Sequence, residues 1–193
     1  MKNALILSLC LISWEVHASD IEDHLALQCK EHATVLTQEA EALPFIEALD
    51  VDVRKVLVRR VLSPSEFAKE QERPASSNPF HANCINFYPI QSSVTDNLNI
   101  HEALFVHYSS DFVLSQNLSD TQKALKSIDQ EEQAVFSKAK AFAERLSLNY
   151  LYLRPEFKVL DGDAGQQKVL GATAGKDYRY FKSADGTWLP DNK

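Results

Sequence analysis

The chain has 193 residues, of which 24% are charged, and a formal net charge of −7 at neutral pH. This length suits a single domain with a full hydrophobic core. The acidic balance argues against binding nucleic acid or an anionic lipid surface, since both require clustered positive charge. After the N-terminal segment, no apolar run approaches the roughly 20 residues that a membrane-spanning helix needs.

Residues 1–18 have the layout of a secretory signal peptide. Lys2 precedes a short apolar run, and Ala18 lies at the position expected for cleavage. The run is too short to span a bilayer as a helix. We therefore expect residues 1–18 to be removed and residues 19–193 to form a single domain in the periplasm or outside the cell.

The first element of that domain is predicted to be a helix over residues 20–42. Ser19 and Glu22 form a capping-box pattern, and apolar residues then recur at steps of three and four up to Leu43. Pro44 would end the helix. This pattern places Cys29 on the buried face.

Residues 45–62 suit either a helix or a strand, because five valines lie between 51 and 61 but charged pairs interrupt the alternation. We favour a helix, on which the pairs 54–55 and 59–60 form a basic stripe. We interpret the stripe as a solvated face, with binding of a partner as the alternative. A second capping box at Ser63, with proline following it, predicts a short helix to about Gln71.

The following segment is predicted to form a surface loop over 73–83 and a short strand over 84–88 that ends at Pro89. Residues 101–116 are again ambiguous between strand and helix, and we favour a helix.

The strongest helical pattern covers residues 120–148, where apolar residues keep heptad-like spacing interrupted only by Glu132. After Asn149, short aromatic and β-branched runs alternate with turn residues, which is typical of hairpins. The predicted fold is α+β: N-terminal helices and one long central helix packed on a C-terminal antiparallel β-meander. We expect the core to be built by Leu25, Leu36, Leu125, Ile128, Val135 and Phe142.

Cys29 and Cys84 are the only cysteines outside the signal peptide, and in an exported protein we expect them to form a disulfide. Their spacings to two histidines leave an alternative open. Cys29, His32, His81 and Cys84 could bind zinc as a tetrahedral set of four ligands. With the disulfide formed, no metal and no other cofactor is predicted.

Two histidines, His101 and His107, lie in a cluster of titratable side chains, and on a strand they would share a face. Such groups can serve in general acid–base catalysis. The chain contains none of the short motifs of known hydrolases, phosphate-binding loops or dinucleotide sites, so no catalytic residue is assigned.

The C-terminal aromatic residues Tyr178, Tyr180 and Trp188 are candidates for a binding surface, because such side chains combine contact area with a polar tip. The alternative is that they cover the long helix.

The leading functional hypothesis is an exported, non-enzymatic binding protein of the inhibitor, immunity or envelope-accessory type, with a protein partner in the envelope. The competing hypothesis is a small hydrolase or metal-dependent enzyme that uses His101 and His107 or the Cys/His set. The sequence does not indicate an oligomeric state.

Overall fold

A computed structural model describes residues 24–74, 80–114, 118–161 and 168–191 of the chain. The predicted signal peptide, residues 1–18, lies outside these residues, as does the start of the helix predicted over 20–42. Within the described ranges, no helix combines the length and the apolar character that crossing a membrane requires.

The described elements comprise helices and strands in the following order. The helices are α1 (24–28), α2 (Leu43–Leu49), α3 (Pro64–Glu72), α4 (His81–Phe87), α5 (Thr95–Leu98) and α6 (Leu118–Arg145). The strands are β1 (Ala33–Val35), β2 (Asp52–Leu62), β3 (Ile90–Gln91), β4 (Glu102–Leu114), β5 (Tyr150–Asp161), β6 (Lys168–Ala174), β7 (Tyr178–Lys182) and β8 (Trp188–Pro190).

The strands form one mixed sheet in the order β1-β2-β4-β5-β7-β8, with β3 paired to β2 and β6 paired to β5. Strands β4 and β5 run parallel, and so do β2 and β3, whereas the other pairs are antiparallel. Parallel neighbours need a crossover connection, and α6 supplies it between β4 and β5.

One face of the sheet is covered by α6 and α2. Val135, Ala139 and Phe142 of α6 are at most 2% exposed and pack with Leu104 of β4 and Leu151 of β5. Even-numbered residues of β4 and odd-numbered residues of β5 point to this face, as strand alternation requires.

The opposite face is covered by α1 and α4. Cys29 and Cys84 form the predicted disulfide, with a Cα–Cα distance of 5.4 Å, and both are fully buried. The disulfide packs in a second apolar cluster with Phe105 of β4 and Tyr150 of β5. The core therefore has two parts, one on each face of the sheet.

The capping box predicted at Ser63 begins α3. The Glu66 amide donates to the Ser63 side chain, and the Glu66 carboxylate accepts from the Ser63 amide at 2.8 Å.

Several predicted elements of the N-terminal half are wrong. In place of a helix over 20–42, helical residues end at 28, a turn follows, and β1 pairs antiparallel with β2. Residues 45–62 contain the short helix α2 and then the strand β2, not one helix. The pairing of β1 with β2 overrides the helical spacing, because propensity is only a weak prior against tertiary contacts.

Two shorter assignments are also reversed. Residues 84–88 belong largely to the helix α4 rather than to a strand, and residues 102–114 form β4 rather than a helix. The combination of helices and a sheet agrees with an α+β class, but a plain C-terminal meander is wrong, since β5 joins a larger mixed sheet through its parallel partner β4.

Candidate functional site

An open cleft of about 390 Å³ lies on the disulfide-bearing face of the sheet, beside the end of α4. Among the described residues, those that line it belong to β2, β5, β7 and the segment from α4 to β3. They are Arg59, Asn86, Phe87, Pro89, Ile90, Gln91, Tyr152, Arg154 and Arg179. We call it the arginine cleft, because the lining contains three arginines and no aspartate or glutamate.

Strand alternation and register bring these arginines together. Phe105 of β4 lies opposite Tyr152 of β5, and Tyr152 lies opposite Arg179 of β7. Arg154 follows Tyr152 by two residues, so both side chains point to the same face. Arg59 of β2 lies opposite Ala103 of β4, the second residue before Phe105. These four strands thus bring together residues that are distant in sequence.

Each arginine of the cleft lies over an aromatic ring. The guanidinium carbon of Arg59 is 3.8 Å from the centre of the Phe105 ring, and that of Arg179 is 4.9 Å from the Tyr152 ring. Arg154 lies 5.4 Å from the same tyrosine ring. Stacking on aromatic faces attracts a guanidinium and restricts its orientation, so these groups are held before any ligand arrives.

Arg154 is also held by Asp177. Its Nε donates to Asp177 Oδ1 at 3.1 Å, and its Nη2 donates to Oδ2 at 3.3 Å. The Tyr152 hydroxyl donates to the same carboxylate. Burial raises the pKa of Asp177, but the hydrogen bonds from Arg154 and Tyr152 outweigh it and hold the pKa below its usual range. Asp177 is therefore ionised at neutral pH and fixes both side chains.

Arg179 differs from Arg154 in its charge environment. No ion pair of Arg179 occurs among the described residues, whereas Arg154 is paired with Asp177. Arg179 also lines a second open cleft, of about 540 Å³, whose lining includes Lys176 and two carboxylates, Asp177 and Asp191. The two clefts therefore adjoin at Arg179.

The four residues of the alternative zinc set do not act together in this structure. The disulfide occupies the sulfur atoms of Cys29 and Cys84, so a set of two thiolates and two imidazoles is not available. The two histidines nevertheless lie close to each other and to Glu31, with ligand atoms of all three residues within 4.8 Å. His32 and His81 are 1% and 6% exposed.

The histidines of the proposed catalytic cluster are separated. His107 lies on β4 and His101 just before it, and at about 3.3 Å per residue the six-residue separation places them about 20 Å apart. The His101 ring bonds to Asn99 at 2.8 Å, and His107 Nε2 lies 3.4 Å from Glu156. The structure does not bring them to a common substrate position.

The aromatic residues of the predicted binding surface contact α6. Tyr178, Tyr180 and Trp188 are partly buried and pack against the core under that helix. The Tyr180 hydroxyl donates to Glu132 at 2.7 Å, and Trp188 Nε1 donates to Glu144 at 3.0 Å. Each of the three residues is still partly exposed and could contact a partner. Their role in recognition stays a prediction.

Arg154 and Arg179 were not predicted as site residues, and Arg59 was expected on a solvated helical face. The available signal was the alternation of tyrosine and leucine over 150–153, which predicts a strand with Tyr152 and Arg154 on one face. That signal identifies a face of each strand but not which strands are neighbours.

The chain matches no known family of proteins, and no curated protein and no solved structure is significantly similar to it.

Proposed function

We propose that the protein is an exported, non-enzymatic binding protein whose recognition site is the arginine cleft. Its partner is a protein of the cell envelope that presents an acidic segment. The observation that carries this proposal is the composition of the cleft, whose described lining contains three arginines and no carboxylate.

The chemistry of the cleft fits carboxylates. The planar guanidinium group matches a carboxylate in shape and can donate two parallel hydrogen bonds to it. Because Arg59, Arg154 and Arg179 already lie over the rings of Phe105 and Tyr152, a ligand need not immobilise free side chains. Holding a site in its bound arrangement lowers the entropic cost of association.

The shape of the surface favours an extended segment over a compact small molecule. The arginine cleft is open to solvent and adjoins the second cleft at Arg179. Because Asp177 and Asp191 line the second cleft, only the arginine cleft would hold the acidic side chains of such a segment. Exposed Phe87 at the end of α4 provides an apolar contact at the rim. Aromatic and arginine side chains are enriched at the energetically important positions of protein interfaces.

The charge of the whole chain contributes to selectivity. A net charge of −7 repels acidic proteins in general, whereas the local field of the cleft attracts a segment that reaches it. Complementary local charge affects the association rate and the choice of partner more than the total affinity.

The proposal is tested with a fluorescently labelled oligo-glutamate peptide as a probe for acidic segments, using anisotropy to measure its affinity. We expect the peptide to bind, and we expect Arg179→Gln to weaken binding about tenfold, the equivalent of roughly 1.4 kcal/mol. Binding should also weaken as salt is added, since exposed charges are screened. Arg145→Gln is the matched control, because Arg145 is exposed at the end of α6, on the other face of the sheet.

Equal losses in Arg179→Gln and Arg145→Gln would contradict a specific role for the cleft. A peptide that fails to bind would contradict recognition of acidic segments. If inorganic phosphate at a comparable concentration displaced the peptide completely, the ligand of the cleft would be a small anion and not a protein segment.

A further inference from the structure

We propose that Glu31, His32 and His81 form a binding site for one divalent transition-metal ion, with zinc the best match. Two imidazole nitrogens and one carboxylate oxygen are a ligand set that zinc accepts in proteins. The three side chains offer one ligand atom each, and these atoms lie within 4.8 Å of one another. This proposal does not depend on the arginine cleft.

His32 carries the strongest indication of a ligand. Its side chain is fully buried, and among the described residues neither ring nitrogen has a hydrogen-bond partner. A buried polar group without a partner loses the hydrogen bonds that water would supply. Its Nε2 lies 3.5 Å from Glu31 Oε1, a contact that an ion between the two atoms would satisfy.

The ring of His81 is held by one hydrogen bond that leaves the other nitrogen available to a metal. Its Nε2 lies 3.0 Å from the carbonyl oxygen of Glu70. A carbonyl only accepts, so Nε2 donates, and in the neutral ring Nδ1 keeps the lone pair. Metal-binding histidines commonly use the second ring N–H in this way, which fixes the tautomer and the ring orientation.

The protein holds the ligands in place before a metal arrives. The disulfide joins Cys29, three residues before His32, to Cys84, three residues after His81, and so brings the two histidine-bearing segments together. The His32 carbonyl accepts from the Arg60 amide of β2 at 2.9 Å.

One coordination position would remain for solvent or an external group. Glu31 and His32 both line an open cleft of about 220 Å³, which also includes Arg60 and His101. Three protein ligands with an open fourth position distinguish such a site from a closed structural zinc site.

The test titrates zinc alone into the oxidised chain by calorimetry, after alkylation has shown that neither Cys29 nor Cys84 is a free thiol. We expect one zinc per chain. Glu31→Gln and His81→Gln should each weaken binding by at least about tenfold, because even outer-shell partners of metal ligands change affinity by about 10–100-fold. Glu31 is exposed, so its substitution leaves the fold intact, as circular dichroism would verify.

His24→Ala is the matched control, since His24 is exposed and bonds to Gln28 in α1. It should bind zinc as the unchanged chain does. The proposal is overturned if the oxidised chain binds no zinc at millimolar concentration, or if the control loses as much affinity as the site variants. It is also overturned if binding occurs only after reduction and is abolished by Cys29→Ser, since the thiolates would then be the ligands.

Discussion

At the scale of single residues, Glu132 shows how a charged side chain is accommodated on the inner side of α6. It is 7% exposed, and its carboxylate accepts a hydrogen bond from the Tyr180 hydroxyl of β7 at 2.7 Å. Burial and this bond both raise the pKa of Tyr180, which stays a neutral donor. The apparent interruption of the heptad-like pattern thus corresponds to a contact between the helix and the sheet.

Tyr180→Phe is therefore expected to destabilise the protein by about 1–3 kcal/mol, because it removes the donor to a buried carboxylate. Chemical denaturation monitored by circular dichroism measures the loss. Tyr178→Phe is the control: Tyr178 lies on the same face, and within the described part of the chain its hydroxyl makes no hydrogen bond. Equal stability of Tyr180→Phe and the unchanged chain, with weaker partner binding, would show that Tyr180 acts in recognition and not in packing.

At the scale of elements, the helix α6 is attached to the sheet by a short row of small and aromatic side chains. Phe142 stacks on Phe45 of α2, with ring centres 4.2 Å apart and planes inclined by 6°. Ala139 and Ala143 on the same side are fully buried and allow close approach to the sheet. This contact joins α2, α6 and the strands β4 and β5.

Phe142→Ala is expected to cost about 3–5 kcal/mol, since it leaves a cavity between α2 and α6. Thermal and chemical unfolding measure this cost. Leu27→Ala serves as the control, because Leu27 is 71% exposed and surface substitutions usually change stability by less than about 0.5 kcal/mol. A loss below about 1 kcal/mol for Phe142→Ala would mean that α6 does not depend on this contact.

The elements also show what the sequence could and could not predict. The capping box at Ser63 and the disulfide between Cys29 and Cys84 depend on local chemistry and on a count of cysteines, and both were predicted. The strand β2 was not predicted, because Lys55 and Arg59 occupy positions where a half-buried strand normally has apolar residues. Both are buried, and Arg59 stacks on Phe105.

The site was less predictable than the elements. Arg59, Tyr152 and Arg179 meet only because β2, β4, β5 and β7 are successive neighbours in the sheet. That order depends on the parallel crossover through α6, and a pattern of residues along the chain does not encode it directly. Only the alternative zinc set placed His32 and His81 close together, and it gave them thiolates rather than Glu31 as the other ligands.

At the scale of the whole molecule, the two faces of the sheet are covered by different helices. One face is closed by α2 and α6 over an apolar cluster. The other is covered by α1 and α4, whose disulfide closes a separation of 55 residues and contributes roughly 4 kcal/mol on the chain-entropy estimate. The arginine cleft lies beside α4 on this second face, so a rigid scaffold positions its charged groups.

The most direct test of the central claim is a nitrogen-labelled NMR titration that follows the arginine Nε–H resonances while the oligo-glutamate peptide is added. Because Arg59, Arg154 and Arg179 line the cleft, we predict saturable shifts of these three resonances and an unchanged resonance for Arg145. Shifts of similar size for Arg145, or no shift of the cleft arginines at saturating peptide, would contradict the assignment of this cleft as the recognition site.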